Sequence, residues 1–201
     1  MDIRKSKVFY LAPVLLSIAI TSLPLLTKNW LGLENSLYLM YSAEFVLAIA
    51  IIIYIYRGQL NFGNKIFFLC CLVFIVIIYV TLYVKREPNF EAFHISANHL
   101  IPYFFAVFII PFSEECIYRG CLVDFFCGIL KGNVFWPVIL SSIVFCAMHT
   151  QYTGLLDFAV LFSVSLIFSF ARLKSGSLLQ PIFLHSFMNG FVVLLTNLSV
   201  F

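Results

Sequence analysis

Apolar positions run through this chain in seven long blocks: Val8 to Leu26, Leu37 to Tyr56, Ile66 to Val84, Leu100 to Leu130, Val134 to Met148, Leu155 to Ala171 and Leu178 to Leu198. Short polar or turn-forming clusters separate them, at Lys28 to Ser36, Arg57 to Lys65, Lys85 to Asn89, Lys131 to Asn133, Gln151 to Gly154 and Arg172 to Ser177. Blocks of this length and hydropathy predict transmembrane helices. The pattern therefore predicts an all-α, polytopic transmembrane helix bundle of about seven crossings. The fourth block leaves eight as the alternative, because its 31 residues exceed what a ~30 Å hydrocarbon core needs at ~1.5 Å per residue. Pro111 within it either kinks one long helix or ends a first piece.

The distribution of basic residues favours seven. With the N-terminus inside and the fourth block crossing once, Arg4, Lys5, Lys7, Arg57, Lys65, Lys131, Arg172 and Lys174 fall at cytoplasmic ends, and only Lys28, Lys85 and Arg86 fall outside. Eight crossings would send Arg172 and Lys174 outward. The apolar stretch after Arg4, Lys5 and Lys7 is longer than a signal-peptide core and is followed by no small-residue cleavage site, so it is read as a retained first helix.

Composition narrows the function classes. Hydrophobic residues make up 63% of the 201 positions and charged residues 10%, with 24 phenylalanines and a mean hydropathy of +1.05. So few charges do not cover a water-soluble core. At ~20 residues per crossing the helices use the whole length, and residues 1–201 are read as a single transmembrane domain. Any function lives among the helices. The six cysteines, Cys70, Cys71, Cys116, Cys121, Cys127 and Cys146, lie in apolar stretches without C-x-x-C spacing and read as small buried hydrophobes. The net charge of +3 includes no basic run, which argues against nucleic acid as a partner.

Ionisable side chains inside apolar helices are costly, so each is a functional candidate until a partner explains it. Glu115 and Arg119 are four residues apart and share a helix face, where they pair. Glu114 points ~100° away around the helix, finds no partner in its own block and is free to face a cavity. His149 closes the fifth block one turn after Phe145, and His185 and Asn189 again stand at i and i+4 in the last block. Taken singly, the bland accounts are a buried cluster around Arg119, an interfacial histidine and polar glue between helices. Glu44, Asp124 and Asp157 also lie in apolar blocks, but no spacing assigns them a role.

Depth brings three of these groups together. Glu114 lies roughly 25 Å before Lys131, His149 roughly 27 Å after it and His185 roughly 16 Å beyond Lys174, all away from the cytoplasmic surface. Their meeting requires the fourth helix to continue through Leu130. The chemistry such a meeting permits is water activation, a carboxylate and an imidazole sharing the proton while an amide stabilises the oxyanion. Zinc or another divalent metal is the alternative, with Glu114, His149 and His185 as three ligands, although H-E-x-x-H is absent.

Together E-E-x-x-x-R at Glu114 to Arg119, F-x-x-x-H at Phe145 to His149 and H-x-x-x-N at His185 to Asn189 resemble the CPBP (Abi-like) family of intramembrane proteases, also called the CAAX protease and bacteriocin-processing family. Arg119-Gly120 and the run from Leu173 to Ile182 look like that family too, so the resemblance spans about Pro111 to Gly190, with a catalytic core over 111–190. It implies an intramembrane endopeptidase in which Glu114 and His149 activate water, Glu115, Arg119 and Phe145 support the site, and His185 and Asn189 bind the oxyanion. Glutamic-type and metallo-type hydrolysis both remain open. It further implies a lipid bilayer and a peptide or membrane-anchored protein C-terminus as partners, and a bacterial cytoplasmic membrane as the location. True CAAX processing is the less expected of its activities. Two other classes compete: a non-catalytic bacteriocin-immunity or membrane-peptide binding protein, and a proton-coupled transporter, for which no inverted repeat is visible.

Overall fold

The computed structural model describes residues 7–85, 100–131, 133–152 and 154–198. The expected polar link after Lys85, and the basic residues Arg4, Lys5 and Arg86, lie outside the described residues. Among the described residues every regular element is helical. In chain order these are α1 (Lys7–Ile20), α2 (Leu23–Leu31), α3 (Leu33–Ile51, continued by a π turn at Ile52–Tyr56), α4 (Lys65–Lys85), α5 (Leu100–Ile129), α6 (Phe135–Met148), α7 (Leu155–Ser175) and α8 (Leu179–Leu198). Five stretches are long and apolar enough to cross a membrane, the first formed by α1 and α2 together, and α6 and α8 are shorter apolar helices. The chain is an integral membrane protein with one helical run for each predicted block.

The N-terminal boundary differs from expectation. The polar cluster Lys28 to Ser36 is not a loop: α2 runs to Leu31, and Gly32 alone separates it from α3. Gly32 sits at φ 77°, where a side chain would be strained, so the hairpin between α2 and α3 turns on one residue. Lys28, Asn29 and Trp30 are compatible with helix at a membrane boundary, and their polarity marked the end of an apolar block, not the end of a helix.

The fourth block is one helical run, and it reaches Ile129, one residue short of the expected Leu130. Its winding loosens twice into π turns, at Phe105–Ile109 and at Glu115–Leu122. Pro111 supplies the reason for the first. Its ring excludes an ordinary α turn before it and it has no N–H to donate. The N–H of Ile110 already reaches back five residues to the carbonyl of Phe105, and the next donor in that register, to the carbonyl of Ala106, would have been Pro111. A backbone acceptor is thereby left open in the middle of the bundle.

Helix α5 is central, packing against α1, α3, α6, α7 and α8, and α8 in turn packs against α4 and α7. Small residues let helices approach closely. Ser141 of α6 donates to the carbonyl of Tyr118 in α5 at 2.7 Å. Gly120 meets the Tyr56 ring where an added Cβ would come within 3.0 Å of it. Burying Cys116, Ile117, Cys121 and Leu122 against α1 and α3 turns the opposite side of this π segment towards α7 and α8.

Candidate active site

The loosened winding that follows Glu114 sends the two adjacent glutamates to different environments. Glu115 is fully buried, its Oε1 3.0 Å from Arg119 Nη1 and 2.8 Å from His185 Nδ1. Arg119 is equally buried. Its Nη2 donates to Ser165 Oγ of α7 at 2.8 Å, and its guanidinium lies 4.2 Å from the Phe145 ring centroid and 5.3 Å from that of Phe168. The ion pair expected from i, i+4 spacing is present, and ring faces from two further helices cover it. Glu114 instead retains partial exposure towards an internal cavity of about 1000 Å³, which His149, His185 and Asn189 also line.

Each histidine is held by its Nδ1. In His185 that nitrogen faces the Glu115 carboxylate, an acceptor, so it carries the proton, and the ring stacks on Phe168 at 4.9 Å. In His149, where α6 ends, Nδ1 faces the carbonyl of Phe145 at 2.8 Å and the ring lies 4.3 Å from the Phe145 ring. Both imidazoles therefore present Nε2 to Glu114, one to each oxygen: His149 to Oε1 at 3.9 Å and His185 to Oε2 at 3.8 Å. These separations are too long for direct hydrogen bonds and leave room for a bridging water. Three helices thus supply one carboxylate and two oriented imidazoles, the convergence the depth argument anticipates.

Asn189 enters differently. Its Nδ2 donates to the carbonyl of Ala106 at 2.7 Å, the acceptor left open by Pro111. One of its two amide hydrogens thus pins α8 to α5, and the other is not used by that bond. Phe145, only 1% exposed, stands between Arg119 and His149 and meets Tyr118 edge to face at 5.1 Å.

As placed, these donors are spaced wider than a zinc shell. Each imidazole faces a different carboxylate oxygen at 3.8–3.9 Å, whereas ~2.0–2.1 Å bonds in a tetrahedral shell put neighbouring ligands ~3.3–3.4 Å apart. Among the described residues no group of three or more His, Cys, Asp and Glu side chains is arranged to hold a metal ion.

Sequence spacing missed three contributors. Ser165 and Phe168, which clamp Arg119 and His185, are a small hydroxyl and an aromatic in an apolar helix, and no charge signals them. Glu44 lines the same cavity from α3. Asp124, also unassigned, lies elsewhere: its Oδ2 accepts from Tyr56 Oη at 2.8 Å and stands 3.8 Å from Arg172 Nη2, which donates to Gln59 Oε1 at 2.8 Å.

Residues 96–191 match the family described as type II CAAX prenyl endopeptidase Rce1-like. An uncharacterized 24.3 kDa protein of Escherichia coli is 40% identical over 80 residues, which is 39% of this chain and 37% of that protein. The membrane-embedded CAAX protease MroQ of Staphylococcus aureus (strain USA300) is 31% identical over 118 residues, 56% of this chain and 47% of the relative. The chain thus spans less than half the length of the curated relatives it matches. No solved structure matches it.

Proposed function

We propose, from the match of residues 96–191 to the family described as type II CAAX prenyl endopeptidase Rce1-like, that the protein is an intramembrane endopeptidase. It hydrolyses a peptide bond in a membrane-associated peptide or an anchored protein C-terminus. The observation that carries this reading is the pair of Nδ1-anchored imidazoles facing the two oxygens of Glu114 inside one cavity. The whole chain acts as one transmembrane unit, with its catalytic core over 111–190, in a bacterial cytoplasmic membrane and with the N-terminus inside.

Glu114 and His149 hold the attacking water. As its oxygen bonds to the scissile carbonyl carbon, a proton passes to the Glu114 carboxylate, and Glu114 returns that proton to the leaving amine when the C–N bond breaks. Positioned proton transfer of this kind contributes ~10²–10⁴-fold. His185 Nε2, once protonated, and the second Asn189 amide hydrogen meet the oxyanion, donors worth ~10²–10³-fold each in comparable sites. The buried Glu115 carboxylate fixes the His185 ring through Nδ1, and Arg119 holds Glu115 in place. The water is activated without a metal, so cleavage survives a strong divalent-metal chelator; loss restored by zinc would replace this step with the metallo-type one.

The test compares wild type with Glu114→Gln and His149→Ala, followed by mass spectrometry of peptides and anchored-protein C-termini in membranes and medium. A specific product that disappears in both variants, while both proteins still accumulate in the membrane, supports the assignment. If wild type confers a phenotype that both variants keep and no product changes, a binding or immunity role replaces it.

A further inference from the structure

The cavity holds a second carboxylate that the chemistry above does not use. Glu44 belongs to α3, outside the matched stretch 96–191, and is 7% exposed. Its Oε1 accepts a hydrogen bond from Ser17 of α1 at 2.9 Å, which fixes the side chain. Among the described residues no protein group hydrogen-bonds Oε2. Glu44 and Ser17 both line the cavity that contains Glu114, and α3 packs directly on the Ile110–Glu114 turn, where the rings of Phe45 and Phe112 lie 5.3 Å apart. Glu44 and Glu114 each stand near the midpoint of a membrane-length helix, Leu33–Tyr56 and Leu100–Ile129.

The rest of the lining has a one-sided charge. Glu44, Glu114 and Asp157 contribute carboxylates, and no lysine or arginine lines the cavity among the described residues; Arg119 is fully buried behind Glu115. An acidic group at this depth is stable when a cation or hydrogen-bond donors meet it, and its low-dielectric surroundings strengthen that attraction. A carboxylate that lines a substrate-sized cavity and keeps one buried oxygen without a partner among the described residues therefore calls for a cation brought by the ligand.

We propose that Glu44, held by Ser17, forms a subsite for a positively charged group of the substrate, a basic side chain or a terminal ammonium entering the cavity beside Glu114. Its role as a substrate subsite rests on the endopeptidase reading, but the binding of a cation does not, and the two are separable. The full chain in uncharged maltoside micelles is heated with decylamine or with 1-decanol, and the thermal midpoint is followed. The amine stabilises wild type more than the alcohol does, and Glu114→Gln keeps that preference. In Glu44→Gln, which is isosteric, the amine binds roughly tenfold more weakly or worse, as expected for losing a charged hydrogen bond, and the preference for it disappears. Equal stabilisation of wild type by both compounds overturns the proposal. So does a preference that survives Glu44→Gln, or one that Glu114→Gln alone removes, which would put the cation on the catalytic carboxylate. A Glu44-dependent preference in a protein that shows no Glu114-dependent cleavage leaves the cation site standing and removes the endopeptidase reading.

Discussion

Two polar clusters among the described residues are built from similar parts, and they differ in what their carboxylates face. Around Asp124, the carboxylate accepts from Tyr56 and stands beside Arg172, which donates to Gln59 and lies 5.5 Å from the Tyr56 ring. The cluster joins α3, α5 and α7, and its residues are not among those lining the cavity that holds Glu114. Around Arg119 the inner half is closed in the same way, by Glu115, Ser165, Phe145 and Phe168. Its outer half is open: Glu114 and two Nε2 atoms face a cavity without direct bonds to one another. Polar groups engaged mainly with one another lock helices together, whereas groups oriented from behind and unpaired in front are available to a substrate.

The largest effect comes from neutralising the open half. Glu114→Gln keeps shape and removes the base, so cleavage falls by ~10²-fold or more, while thermal stability in detergent stays near that of wild type; an equally large loss of stability would make Glu114 a structural residue like Asp124. Breaking the closed half does the reverse. Arg119→Leu leaves Glu115 buried without its cation, at a cost of about 3–5 kcal/mol, read as loss of membrane accumulation and a lower thermal midpoint. Pairing it with Glu115→Gln recovers part of that stability, and not the activity.

Asn189 tests where the two halves meet. Asn189→Ala leaves the Ala106 carbonyl without its donor and costs about 1–3 kcal/mol. Pro111→Ala adds a backbone N–H beside that carbonyl, so the stability cost of Asn189→Ala shrinks by about 1 kcal/mol in that background, while the lost oxyanion donor still depresses cleavage. Additive costs would show that the proline is not what opens the acceptor. The smallest effect belongs to the Asp124 cluster: Tyr56→Phe removes one hydrogen bond, worth about 0.5–1.5 kcal/mol, and leaves cleavage per folded molecule unchanged.

Local periodicity was enough for the helical blocks, the Glu115–Arg119 pair and the grouping of Glu114, His149 and His185 by depth, because those relations follow from rise and rotation within single helices. The single residue between α2 and α3 escaped it, since polarity marks where an apolar block ends and not where hydrogen-bonded winding stops. The roles of Glu44 and Asp124 escaped it as well. Their partners, Ser17, Tyr56 and Arg172, are 27, 68 and 48 positions away, and the meeting depends on how whole helices tilt and rotate against one another. Tertiary structure likewise decided that His185 turns Nδ1 to Glu115 and that Asn189 replaces the donor Pro111 lacks. By itself, then, the sequence determined which residues share a helix face and a depth in the bilayer, whereas packing determined which of their atoms remain free for chemistry.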